Sequence, residues 1–339
     1  MSRTLLTRRM ARRVMGLAGA AALTLGLASC GGDNKPAAGA MPTEITFAIL
    51  PAEGQGSSGP IWQPLLDDMS KAIGVKVKPN FAANYNVSIT AMQFNQAQIA
   101  WLSAKPELEA IDRANAEVIA RIVDPQGRDT YTSSLIVKKG SGITLDKVLA
   151  CGKVYDFGLG DAQSTSGTLA PMTYLFNPRG IVPAQCFKTV RSASHQNNTF
   201  AIGSGVLDVS TSNSVNTVFI QRENPQIAAT LEEIWVSPPL PESGIVIRQD
   251  MNPALKEKIR AFLIGYGKGE GAEAERQRGV LLALNYSMFR AADDSYLDPV
   301  RLMVLEQKLN DAKAKNDAAA VSTLTAQAAA LRTKLEVQP

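Results

Sequence analysis

From residue 44 onward, apolar runs short enough for strands alternate with stretches whose apolar positions recur at helical spacing. Residues 45–50 read as a strand that ends in a Gly-, Ser- and Pro-rich turn, 51–60. Trp62, Leu65, Leu66, Met69 and Ile73 then share one helical face, with Pro60 suited to its first turn. Residues 75–81 form a second strand, 87–94 a second helix and 99–102 a third strand. This βαβαβ order predicts a mostly parallel sheet, whose ligands bind beyond the carboxyl ends of the strands. Tyr85, just past the second strand, is placed for that role.

A helix at 110–116, a strand at 118–123 and the polar break 124–129 lead into the run 131–138. That break marks the start of a new domain, because a strand, a hydroxyl-rich turn and a helix then recur. Strands at 188–192 and 207–212 end near His195 and Asn213, on the ligand side. The Pro-rich segment 237–241 reads as a crossover back to the first domain, and two crossovers predict a hinged cleft. The expected division is 44–130 with 238–300 as one lobe, 131–237 as the other, and 301–339 as a C-terminal helical extension. That extension is either a hairpin packed on its own domain or a contact between two copies of the chain.

The most informative stretch is Asp161-Ala162-Gln163-Ser164-Thr165-Ser166-Gly167-Thr168, between the apolar run 154–159 and the helix-like 169–176. The first amides of a helix lack partners within it and sit at the positive end of its dipole, so such an end binds anions. Three successive hydroxyls add directed donors, and Gly167 is expected to let a ligand approach the backbone. An ordinary Ser/Thr N-cap would look the same. His195, the only histidine, is either a surface-loop imidazole or a further donor to the same oxyanion. A hydrolase reading would use Ser164 or Ser166 as nucleophile, His195 as base and Asp161 or Asp208 as the orienting acid. Against it, the turn lacks the Gly-x-Ser-x-Gly elbow, and no paired-carboxylate or metal signature is present to activate water.

Arg3, Arg8, Arg9, Arg12 and Arg13 precede the apolar segment 14–27, which ends in Leu27-Ala28-Ser29-Cys30. Residues 1–29 read as a lipoprotein signal peptide, Cys30 as its lipidated residue and 30–43 as a flexible tether between the lipid and the exported fold. Removing 1–29 takes five arginines and no acids, which leaves 30 basic against 31 acidic side chains. The basic pI thus belongs to the leader, and a nucleic-acid partner loses its compositional support. Cys151 and Cys186, in an oxidising compartment, either form a disulfide or remain separate buried thiols. With one histidine and no Cys/His cluster, neither a metal nor another cofactor is expected.

Leu159-Gly160-Asp161-Ala162-Gln163-Ser164-Thr165-Ser166-Gly167 and Ser194-His195-Gln196-Asn197-Asn198 occur in order with five shorter matches. These are Val75-Lys76-Val77-Lys78, Met92-Gln93-Phe94-Asn95, Ile99-Ala100-Trp101, Ala110-Ile111-Asp112-Arg113-Ala114-Asn115 and Ile234-Trp235-Val236-Ser237-Pro238. Together they resemble the phosphonate-binding subunits of ABC importers, the PhnD family of periplasmic phosphate-, phosphite- and phosphonate-binding proteins, over about residues 44–310. The resemblance implies an α/β periplasmic-binding-protein fold of type II: two lobes, two hinge crossovers and C-terminal helices. It implies a binding protein rather than an enzyme, with a phosphonate-like oxyanion as ligand and an ABC permease and ATPase as partners. A lipid-attached adaptor without transport is a further alternative.

Carried onto this chain, the family's oxyanion contacts fall on Tyr85, Tyr131, Ser164, Thr165, Ser166 and His195. Members that hold an aminophosphonate place two carboxylates around its ammonium group, and those positions fall here on Val215 and Ser243. Neither can pair with a buried cation, so 2-aminoethylphosphonate is expected to be a poor ligand. Glu242, adjacent to the second position, would restore one carboxylate if the alignment slips by one residue.

Overall fold

A computed structural model describes residues 41–50 and 55–337. In chain order its strands are β1 (Glu44–Ile49), β2 (Lys76–Phe81), β3 (Ile99–Leu102), β4 (Ala116–Val123), β5 (Thr130–Tyr131), β6 (Ser133–Lys138), β7 (Asp156–Leu159), β8 (Thr189–Ser192), β9 (Val209–Asn213), β10 (Leu231–Val236), β11 (Leu240–Pro241), β12 (Gly244–Arg248) and β13 (Met288–Ala291). One sheet has the order β13-β4-β12-β3-β1-β2 and a second the order β10-β6-β9-β7-β8. Only the neighbours β2-β1-β3 and β9-β7-β8 run parallel. The expected mostly parallel sheet is therefore corrected to two mixed sheets, because β12 and β13 return antiparallel into the first and β6 and β10 into the second. Between the sheets the chain crosses twice, and the crossings pair as the short ladder of β5 with β11.

The helix Gln55–Ile73 starts earlier than expected and runs through Pro60 and Pro64. Its Trp62, Leu65, Leu66, Met69 and Ile73 are buried on the first sheet. Each such side chain contributes roughly 2 kcal/mol, which offsets the amide bonds that the two prolines cannot make. The helix Asp298–Ala314 buries Val300 and Met303 in a second core cluster that also holds Leu169, Leu240 and Leu108. It thereby joins segments of both sheet-bearing halves. The helix Ala318–Val337 lies along it as a hairpin, with Ala328 buried. Among the described residues no helix is long and apolar enough to cross a membrane.

Cys151 and Cys186 are joined by a disulfide across a sequence separation of 35. It borders the core of the second sheet, where Phe157 stacks on Phe187 at 4.2 Å and Phe176 meets both edge-on. In the chain-entropy account, closing a loop of that length stabilises the fold by about 4 kcal/mol. Replacing both cysteines by serine is expected to lower the urea unfolding free energy by roughly that amount. An unchanged midpoint and slope would contradict this.

Glu107, on the helix Ala104–Ala114, is fully buried where the second crossover enters β12. Its carboxylate accepts the Gly244 amide at 2.9 Å and a short hydrogen bond from the Tyr296 hydroxyl. A side chain at Gly244 has no room, since its Cβ would stand 2.5 Å from the Tyr296 hydroxyl. Burial raises Glu107 to about 8, with Asp294 and Glu242 adding to the shift and the two hydrogen bonds opposing it. Between the ordinary value of 4.5 and about 8 the native state therefore holds a proton that the unfolded chain has released. Stability is accordingly lost as pH rises through that window. The thermal midpoint is expected to fall with pH there, and to fall less steeply in Glu107→Gln; equal slopes in both proteins would contradict the assignment.

Candidate functional site

Ser164 is the N-cap of a helical segment whose residues Thr165–Leu169 and Met172–Phe176 have π geometry rather than the α-helix expected from the sequence. The widening has a cause outside the helix. The Ser166 carbonyl accepts from the Ser133 hydroxyl at 2.6 Å and the Gly167 carbonyl from the Gly160 amide at 3.0 Å, so both are drawn to partners outside the helix. Gly160 and Gly167 meet backbone to backbone, and a Cβ on Gly167 would lie 2.8 Å from the Gly160 Cα and 3.1 Å from the His195 ring. A side chain at Gly167 is thus excluded by Gly160, just past β7, and by His195. The Gly167 amide donates to Ser164 Oγ at 2.9 Å.

The turn faces a cavity of about 720 Å³ between the halves. Ser164, Ser166, His195, Tyr85 and Tyr131 line it, as do Val215, Glu242 and Ser243. Thr165 departs from expectation. It is buried outside the lining, where its hydroxyl accepts the Lys105 amide at 2.8 Å and donates to Ser103 Oγ at 3.1 Å. Ser103 donates in turn to the Tyr85 hydroxyl at 3.0 Å. Each hydroxyl in this chain accepts one bond and donates the next, which leaves the Tyr85 proton for the cavity. Burial raises both Tyr85 and Tyr131 well above the ordinary tyrosine value, so both remain protonated donors.

His195 stands at the first turn of the helix His195–Gly203, behind the N-cap Ser194, rather than in a loop. Its Nε2 lies 3.1 Å from Ser166 Oγ, and Asn213 Nδ2 donates to the same oxygen at 3.2 Å. The orientation of Asn213 is fixed, because its Oδ1 caps the next helix by accepting the Asn216 amide at 2.7 Å. Burial lowers His195 to about 4, opposed by a hydrogen bond to the Thr211 backbone, so near neutral pH the imidazole is uncharged. Nδ1 is buried and makes no hydrogen bond of standard geometry. Asp161 accepts the Gln163 amide and Asp208 the Asp156 amide, so no carboxylate orients the imidazole as a serine hydrolase requires.

Among the described residues the cavity lining contains no lysine or arginine, and its ionisable carboxyls are Asp124, Asp161 and Glu242. What it has instead is helix starts. Asn84, Ser103, Ser164, Ser194 and Asn213 are the N-caps of five helical segments, and all five line the cavity. Each such end favours an anion by about 0.3–1 kcal/mol when exposed, and by more when partly buried. Ser103 and Ser133 were not anticipated from sequence. Ser103 follows β3 as Ser164 follows β7, so the same strand, hydroxyl and helix pattern pointed to it. No group of three or more His, Cys, Asp or Glu side chains among the described residues could hold a metal ion. Cys30 and the leader lie outside the described residues.

The family described as the periplasmic substrate-binding protein of phosphonate ABC transporters matches residues 47–297. The chain is 37% identical over 270 residues to the phosphonates-binding periplasmic protein of Escherichia coli strain K12, spanning 79% of this chain and 78% of that one. It is 25% identical over 202 residues to a probable ABC transporter phosphite-binding protein of Prochlorococcus marinus, spanning 58% of this chain and 67% of that protein. A crystal structure of the binding component of a Pseudomonas aeruginosa ABC phosphonate transporter superposes with a TM-score of 0.81 at 35% identity, covering 86% of this chain and 97% of that one. A Prochlorococcus marinus protein in complex with methylphosphonate shares the fold, with a TM-score of 0.68 at 19% identity over 80% of this chain and 99% of that one. With these matches spanning both sheets and the hydroxyl turn between them, the chain belongs to the family of periplasmic substrate-binding proteins of phosphonate ABC transporters.

Proposed function

We propose that this chain captures a phosphonate, phosphite or phosphate-ester oxyanion in the cavity between its halves and releases it to an ABC permease with its ATPase, while lipid on Cys30 anchors it to a membrane. The observation that carries this reading is the convergence of five helix N-caps with the hydroxyls of Ser164 and Ser166 and Nε2 of His195 on a cavity without a cationic side chain. In this reading the Thr165 and Ser166 amides, the two serine hydroxyls, His195, Tyr85 and Tyr131 donate to the phosphoryl oxygens. Thr165 acts through its backbone alone, since its hydroxyl is engaged with Ser103 and Lys105.

The same proposal disfavours 2-aminoethylphosphonate near and below neutral pH. Val215 and Ser243 offer an ammonium group no charge, and Asp124 already accepts the Gln126 and Arg128 amides and the Arg128 guanidinium. Asp161, in the hydroxyl turn, already accepts the Gln163 amide, which leaves Glu242; burial raises it to about 7, with Asp124 adding to the shift while the bonds from Ser243 and the charge of Arg128 oppose it. Below that value it is neutral and pairs poorly with an ammonium.

Ser166→Ala is expected to weaken methylphosphonate binding by about tenfold or more in calorimetry, since it removes a charge-assisted hydrogen bond; unchanged affinity would reject the phosphoryl site. The affinity ratio of 2-aminoethylphosphonate to ethylphosphonate is expected to rise from about pH 6 to about pH 8 as Glu242 ionises, and Glu242→Gln to abolish that rise. A ratio with the same pH course in both proteins would remove Glu242 from the tail site. Installing Val215→Glu with Ser243→Asp is expected to raise the affinity for the aminophosphonate, and no gain would mean that the tail lies elsewhere.

A further inference from the structure

We infer that the ligand carries a bulky apolar substituent, aromatic or branched, seated against a preformed hydrophobic wall of the cavity. This rests on the phosphoryl site proposed above. The wall is built by Ile61, Trp62, Trp101, Ile122 and Leu284 from the half that carries the first sheet, with Phe219 facing from the other half. It is the edge of the main hydrophobic core and not a loose surface: Trp62, Ile122 and Leu284 are core members, and Ile61 and Trp101 pack on them. The Trp62 and Trp101 rings lie 5.9 Å apart. A wall held this firmly does not collapse to fit a small group.

Phe219 is held from behind. The Arg222 guanidinium stands 4.5 Å from its ring centroid and donates to the Ala283 carbonyl at 3.0 Å, next to Leu284. One residue therefore backs the apolar surface contributed by the second half and ties it to the first half beside Leu284. Cavities of this size, about 720 Å³, lie in the range that encloses drug-sized ligands. A methyl or hydrogen substituent on phosphorus would leave most of the wall against water, whereas an aryl or branched alkyl group removes that apolar area from water.

The test is calorimetry on the full chain with methyl-, propyl- and phenylphosphonate. Affinity is expected to rise along the series, with phenylphosphonate on the order of tenfold tighter than methylphosphonate and a more negative heat-capacity change. Phe219→Ala is expected to bring the phenyl-to-methyl ratio down towards one. Phenylphosphonate binding no tighter than methylphosphonate to the unmodified chain would overturn the inference by itself, and so would a ratio unmoved by Phe219→Ala. Binding of none of the three would overturn the phosphoryl site and this inference with it.

Discussion

The structure depends on a convergence of helix starts. Five N-caps, Asn84, Ser103, Ser164, Ser194 and Asn213, face one cavity whose lining has no lysine or arginine among the described residues. A site of this kind offers an anion fixed neutral dipoles in place of mobile cations. The dipoles are already oriented, so little reorganisation opposes binding, and no strong point charge holds the ligand against release. That balance suits a protein that must both capture its cargo and hand it over. The architecture follows from it, because helices that each start just past a strand bring their N-termini to a common edge.

The second constraint is the hydrogen-bonded chain that joins the halves through the site. The Lys105 amide, Thr165, Ser103 and Tyr85 bond in sequence, and Lys105 Nζ also donates to the Ala162 carbonyl at 2.5 Å. The chain runs from the first turn of one helix into the hydroxyl turn of the other half and back. Moving the halves apart would break the bonds at Thr165 and disturb the Ser103 hydroxyl that donates to Tyr85, so the proposed ligand site and the cleft geometry share the same atoms. Arg222, bonded to the Ala283 carbonyl, is a further link between the halves.

What could be read from the sequence was whatever lay in one local stretch. The Ser164 to Ser166 turn and its position at a helix start were legible because strand, hydroxyls and helix follow one another directly. His195 was placed beside that turn by the family resemblance, and the structure adds that it opens a helix. Features that depend on distant partners were not legible. The antiparallel entry of β12 and β13 requires pairing across more than a hundred residues, and the π geometry arises because Ser133 and Gly160 draw carbonyls out of the helix. Thr165 shows the same limit: its side chain matches the motif, yet Ser103 and Lys105, far away in sequence, engage its hydroxyl.

The central claim is that a tetrahedral phosphorus anion is held by helix starts and hydroxyls without a cation. The crystal structure of the chain with phosphite bound tests it most directly. Phosphite oxygens are expected within hydrogen-bond distance of Ser164 and Ser166 Oγ, the Thr165 and Ser166 amides and His195 Nε2, with no lysine or arginine in contact. Phosphite bound away from this turn, or held there by a lysine or arginine side chain, would contradict it.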